Sequence, residues 1–211
     1  MPWDSPAGPV SHGPEESANV PTTALKEWAV AIKALREGRQ VLLVRKGGIS
    51  EETRDFRIHA ERFLLFPTYE HQRADLLQPA FRDDLPATLA EHDPSVVRFD
   101  TYGELTDLFE ITEPAQVDAL APFYCFSEQY AEERLRWRPR KPLLVMAVRA
   151  YRLARAITLP AGPAFGGCKS WLTLDQDVPE TGRTAALDNS TYTATIAAVR
   201  EALARVPAAA S

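Results

Sequence analysis

The chain has 211 residues, of which 45% are hydrophobic, and a formal net charge of −5. That length suits one domain with tails and supplies enough apolar material for a sizeable core. The acidic balance argues against a globally basic nucleic-acid binder. Two cysteines, Cys125 and Cys168, are too few for a disulfide scaffold and fit a reducing cytoplasm, and no apolar run approaches the roughly 20 residues that span a bilayer.

Residues 1–21 are rich in Pro, Gly, Ser and Glu and lack the basic-then-apolar order of a signal peptide. They read as a disordered lead and 207–211 as a disordered tail, which leaves 22–206 as a single domain. The first expected element is an amphipathic helix over 24–37. Leu25, Trp28, Ala29, Ile32 and Leu35 recur at helical spacing, Thr22 or Thr23 offers a cap, and Gly38 offers a stop. A strand over 40–45 follows, apolar on both faces, and then Lys46-Gly47-Gly48 and a charged loop over 50–57. A second short strand is expected over 62–66, ended by Pro67.

A short helix is expected over 69–77 and irregular chain over 79–94, where Pro79, Pro86 and Pro94 fall. Residues 96–111 alternate as a long bent strand or hairpin, with Gly103 at the bend. Short helices are expected over 116–120 and 128–137, the latter capped by Ser127 and stopped by Pro139. Residues 142–159 alternate most cleanly of all, 169–174 form a last strand, and 190–205 a last helix capped by Ser190. About five strands with helices at both ends make an α+β fold built on a curved mixed or antiparallel sheet or partial barrel.

Several segments are distinctive together: LKEWAVAIKALREGRQVLLVRKGGI, RFLLFPTYEHQ, PLLVMAVRAYRL and GGCKSWLTL. In that order they resemble the bacterial family catalogued as domain of unknown function 1802, over residues 24–174. The family carries no assigned activity. A weaker resemblance links the chain to the ASCH and EVE domains of the PUA-like class, through a helix ending in a glycine turn at 31–38. That class generally binds RNA or modified bases, so the resemblance implies a nucleic-acid or nucleotide ligand.

A grouping with the PD-(D/E)XK nucleases is the enzymatic alternative, and the residues test it. Such a site needs an acidic residue two before a lysine, so that two acids hold Mg²⁺ and the lysine steadies the attacking water. The five lysines are preceded at that spacing by Ala24, Ala31, Val44, Pro139 and Gly167. The standard motif is absent. A metal-dependent phosphodiesterase would have to use a migrated set: Glu27, Asp55 or Glu61, and Lys46. No cofactor is otherwise expected. His59, Glu61 and His71 are a further metal candidate, because two imidazoles and a carboxylate suit Fe(II) or Zn(II).

Charge is unevenly spread. Residues 70–133 hold 15 acidic and 3 basic residues, whereas 134–155 hold 8 basic and no acidic ones. Arg134, Arg136, Arg138, Arg140 and Lys141 alternate beside Tyr130 and Trp137, a composition suited to phosphate contact with base stacking. The leading expectation is therefore a nucleic-acid or nucleotide-binding domain. Phosphate would meet Lys46, Gly47, Gly48 and the arginine strip, and a base would meet His59, Thr68, Tyr69, His71, Gln72 or Trp171. An interaction module that docks an acidic protein partner is the third reading. Cys168 reads as a small strand-start residue rather than a nucleophile.

Overall fold

The computed structural model describes residues 22–46, 58–137, 139–167, 169–174 and 182–206. In chain order the elements are β1 (Thr22–Trp28), α1 (Ala29–Arg36), β2 (Leu42–Arg45), β3 (Arg62–Thr68), α2 (Pro79–Arg82), α3 (Asp84–Ala90) and β4 (Val96–Ile111). They continue with α4 (Pro114–Leu120), α5 (Glu128–Arg136), β5 (Leu143–Pro160), β6 (Trp171–Leu174), β7 (Thr184–Ala185) and α6 (Asn189–Ala204). The strands form one open sheet in the order β2-β5-β4-β3-β1-β6, with β7 added to β5. Among the described residues only the β1–β3 pair is parallel, so the sheet is mixed and the α+β expectation holds, with seven described strands in place of about five.

The expected helix over 24–37 is half strand. Residues Thr22–Trp28 pair with β3 on one side and β6 on the other, and the helix begins only at Ala29. Those two ladders satisfy the backbone of this segment and override the helical stripe. Trp28 caps α1 without a loop, and its N–H donates to its neighbour Glu27 Oε1 at 2.7 Å. Pro67 does not end β3 either. It lies opposite Glu27, and β4 pairs with β3 only over 62–64, so the missing N–H at Pro67 breaks no ladder on the β4 side.

Residues 79–94, expected to be irregular, form α2 and α3. Pro79 opens α2 and Pro86 sits in the first turn of α3, where the backbone N–H has no helical partner to lose. The expected helix over 69–77 shrinks to a 3₁₀ turn at Ala74–Leu76. Ser127 caps α5 as expected, whereas α6 is capped by Asp188, whose Oδ1 accepts from Thr191 N at 2.8 Å. Ser190 donates its hydroxyl to that same carboxylate, and these bonds hold the Asp188 carboxyl far below its usual range.

β4 is one strand of 16 residues paired along β5, with bulges between Phe99 and Thr101 and between Leu105 and Asp107. The bend is therefore made on either side of Gly103, not at it. Gly103 is needed for close approach: a Cβ there would lie 2.7 Å from Phe63 Cε2 and 3.0 Å from Val148 Cγ1. Phe63 and Val148 are both buried and have nowhere to go. Gly103→Val is expected to cost about 1–3 kcal/mol by overpacking. The check is chemical denaturation, where the midpoint should fall at unchanged m.

Three buried clusters cover the sheet. The largest joins α1, α4, α5 and α6 to one face of β2 and β5 through Val30, Leu42, Leu120, Phe126, Ala131 and Val199. The second takes the opposite side of β2, through Leu43, with Phe63, Met146 and Trp171. Their arrangement leaves the C-terminal ends of β1 and β3 open beside α5, and the candidate site lies there.

Candidate functional site

The C-terminal end of β1 forms the floor of a cleft of about 890 Å³. Lys26, Glu27, Trp28, Arg45 and Thr68 line its base; His71 and Arg73 come from the turn after β3. Tyr130, Arg134 and Trp137 come from α5 and its end, and Lys169 and Ser170 from the approach to β6. Five of the lining residues are basic and three (Glu27, Glu70, Glu133) are acidic, which inverts the balance of the whole chain.

The base of the cleft is tightly cross-braced. Glu27 is buried; its Oε1 takes the Trp28 N–H and its Oε2 lies 3.3 Å from Arg45 Nη1 without accepting a hydrogen bond among the described residues. Arg45 Nη2 also donates to the Lys26 carbonyl. Thr68 Oγ1 donates to the Glu27 carbonyl at 3.0 Å, and Gln72 Nε2 donates to the Thr68 carbonyl at 2.7 Å. The Gln72 Oε1 accepts from Val30 N at 3.4 Å, capping the start of α1. Gln72 thus holds the turn in place. That turn puts His71 at φ 61°, the left-handed region, with its ring exposed at the cleft.

The aromatic wall is continuous. Trp28 meets Phe126 edge-on at 5.3 Å and Tyr130 at 5.6 Å, and the Tyr130 hydroxyl is pushed up to about 12 by burial. Arg134 lies 4.8 Å over the Tyr130 ring. Neither Arg134 nor Lys169 has an acidic partner among the described residues. The Lys26 ammonium, by contrast, donates to the carbonyls of Phe165 (2.6 Å) and Gly167 (3.0 Å), and Arg73 is paired with Asp75.

The structure sorts the expected site residues. Thr68, His71 and Arg134 come together in the cleft, joined by Trp137. Arg136 does not: Arg134 and Arg136 both lie in α5, where residues two apart point to different faces. Arg136 pairs with Glu132 instead. Gly47, Gly48, Asp55, Arg138 and Cys168 lie outside the described residues. Arg149 leaves the cleft for α6, donating to Asn189 Oδ1 at 3.0 Å. Three acids of the 70–133 segment are engaged away from the strip. Asp84 meets Lys33 and Arg39, Asp100 meets Arg36 and Arg98, and Asp107 meets Arg200.

Lys46 is not at an anion-contacting turn. Its ammonium is buried and donates to the carbonyls of Leu135 (2.9 Å) and Lys141 (2.7 Å), tying the end of α5 to the approach to β5. Lys141 therefore contributes a carbonyl to this tie. Burial pushes the Lys46 pKa down. The unfolded chain then holds the lysine proton more tightly than the folded one, so stability should rise with pH between the lowered folded pKa and the ordinary value near 10.5. Denaturation of Lys46→Met across that alkaline range should lack this rise; an unchanged rise would contradict the assignment.

The metal and phosphodiesterase sets are pulled apart. His59 and Glu61 precede β3 and His71 follows it, so the seven residues of the strand separate them, roughly 20 Å at the usual rise. His59 stacks on Trp171 (5.7 Å, 6°), and Trp171 is itself buried against Phe63. Glu27 stands level with Pro67, at the opposite end of β3 from Glu61, while Lys46 is held at α5. Among the described residues, the group of carboxylates close enough to share an ion is Asp118, Glu128 and Glu132, none of which lines the cleft. Tyr69 lies on another rim, stacked on His92 at 4.0 Å. Cys125 is buried, with its thiol pushed well up by burial, and is not a nucleophile.

Lys26, Arg45 and Lys169 were not singled out for this site by the sequence. Lys26 fell off a helical stripe, whereas in a strand it shares a face with Trp28. A mixed open sheet with a basic, aromatic-walled cleft at the strand ends places the chain in the α+β class. The chain belongs to the family described as a domain of unknown function (DUF1802), which matches residues 24–198. No curated protein matches it. Solved structures similar to it include a Tyr-to-Phe and a Ser-to-Ala variant of ZmASCH from Zymomonas mobilis, at 13% and 12% identity. Each has a TM-score of 0.42 and covers 74% of this chain and 92% of its own. No helix among the described residues is long and apolar enough to cross a membrane.

Proposed function

We propose that the cleft binds a nucleotide or single-stranded nucleic acid, as a cytoplasmic binding domain without proven catalysis. The observation that carries this reading is the pairing of Arg134 and Lys169, two cations with no acidic partner among the described residues, with the Trp28–Tyr130–Trp137 wall. Cations that are not neutralised by the protein itself suit phosphate, and aromatic rings beside them suit a base. Thr68 at the floor and His71 at the mouth supply hydrogen-bonding groups.

The test is fluorescence anisotropy with labelled single-stranded oligonucleotides, RNA and DNA in parallel, over a salt series. Binding whose log affinity falls linearly with log salt supports the proposal. Preference for a polyglutamate peptide over every oligonucleotide would replace it with an acidic protein partner.

A further inference from the structure

The hollow around the end of β3 continues past the main cleft. A second cavity of about 220 Å³ shares Lys26, Thr68, Glu70 and Gly167 with it, so the two meet along that wall. The second cavity has an apolar floor that includes Phe66 and Val97, and its rim carries Tyr69 and His92. Those two rings are stacked 4.0 Å apart at 16°, and His92 is exposed. A third cavity, about 500 Å³, shares Pro67 and Tyr69 with the second and is bordered by Arg36 and Arg98. Its basic lining residues are ion-paired, Lys33 with Glu37 and Asp84, and both arginines with Asp100.

The main cleft alone has the size of an ordinary small-ligand pocket. A mononucleotide seated there leaves the Tyr69–His92 stack and the third cavity unused. The order of groups along the run is cations with aromatic rings, then a stacked ring pair on an apolar floor. That order repeats the needs of successive nucleotides, which stack on rings and lay phosphates against basic groups. Unpaired bases are required, because paired ones are not available to stack on side chains.

The geometry points to an extended single-stranded nucleic acid as the ligand, with Tyr69 and His92 as a second base-stacking subsite. This rests on the nucleotide reading of the main cleft. The strand enters by Arg134 and Trp137, crosses the Lys26–Thr68 wall, places a base on His92 and leaves toward Arg98.

The experiment compares a nucleoside monophosphate, a dinucleotide and an octanucleotide of one sequence on the full chain, and repeats the series on His92→Ala. His92 is exposed, so this variant is expected to fold. The octanucleotide should bind at least about tenfold more tightly than the monophosphate. His92→Ala should weaken the octanucleotide about fivefold or more, the scale of one base–aromatic stack, and leave the monophosphate unchanged. Equal affinity at all lengths, or equal loss for both ligands in His92→Ala, overturns the second subsite while the main cleft stands. Failure of every nucleotide to bind overturns the cleft reading itself, and this inference with it. The length series on the unaltered chain needs no variant and decides the point even if His92→Ala misfolds.

Discussion

Arg134→Ala combined with Lys169→Ala is expected to weaken single-stranded oligonucleotide binding about tenfold to a hundredfold at low salt. Hydrogen bonds to charged groups contribute about 1.5–3 kcal/mol when desolvated and less when exposed, and Arg134 is half-buried while Lys169 is exposed. The more diagnostic readout is the salt dependence. A single strand gives a slope of about 0.7 per neutralised phosphate, so losing two contacts should make the log–log slope shallower by about 1.4. Arg136→Ala is the matched control. It removes the same charge from the same helix as Arg134→Ala alone, but Arg136 is paired with Glu132 and does not line the cleft. Isothermal or anisotropy titrations of Arg134→Ala, Lys169→Ala and Arg136→Ala, each as a single variant, separate a site from a diffuse field: equal losses in all three would mean that only net charge matters.

The second large effect is on stability. Glu27 and Arg45 form an ion pair with both side chains withdrawn from water, at 3% and 15% exposure. Removing one partner strands the other, and such losses run at about 3–5 kcal/mol. Arg45→Met should therefore destabilise strongly, because it leaves the Glu27 carboxylate without its cation beneath the aromatic wall. Glu27→Met combined with Arg45→Met should recover much of that loss, since a buried pair replaced by apolar groups of similar volume is often nearly neutral. The double-mutant cycle in denaturant measures the coupling directly. Coupling near zero would show that water reaches the pair and that the base of the cleft is not the dry platform described above.

How much of this was legible beforehand differs by element. β2 and β5 could be read because one is a continuous apolar run and the other alternates; β2 is buried as its run implies, whereas β5 is buried without a break over 145–148 and mostly open beyond Tyr151. β1 could not, because Leu25, Trp28, Ala29, Ile32 and Leu35 satisfy a helical stripe across what is really a strand–helix junction. Only the ladders to β3 and β6, made with residues about 40 and 150 positions away, reveal the strand. The same error hid Lys26. Proline count misled at 79–94, since Pro79 and Pro86 occupy first-turn positions that helices tolerate.

The site was legible in its parts more than in its wiring. Thr68, His71 and Arg134 were chosen from two distant segments, and the fold brings them to one cleft. Lys46 was chosen for the same purpose, but two carbonyls from residues 135 and 141 claim its ammonium, and no local pattern announces that. The arginine strip was read with a period of two; α5 carries Arg134 and Arg136 of it, and a helix's period of about 3.6 turns Arg136 away from the cleft that Arg134 lines. Trp171 reads as a stacking ring in sequence, yet β6 buries it against Phe63 and covers it with His59.

Ultraviolet cross-linking of a bound single-stranded octanucleotide, with mass-spectrometric mapping of the adducts, tests the central claim most directly. Aromatic side chains in contact with bases are the groups that react. The account predicts adducts on Trp137 of the cleft wall and on His71 at its mouth, competed away by unlabelled oligonucleotide. Adducts confined to peptides remote from the cleft, such as the Arg152–Arg155 stretch of β5, or binding that yields none on the cleft wall, would contradict it.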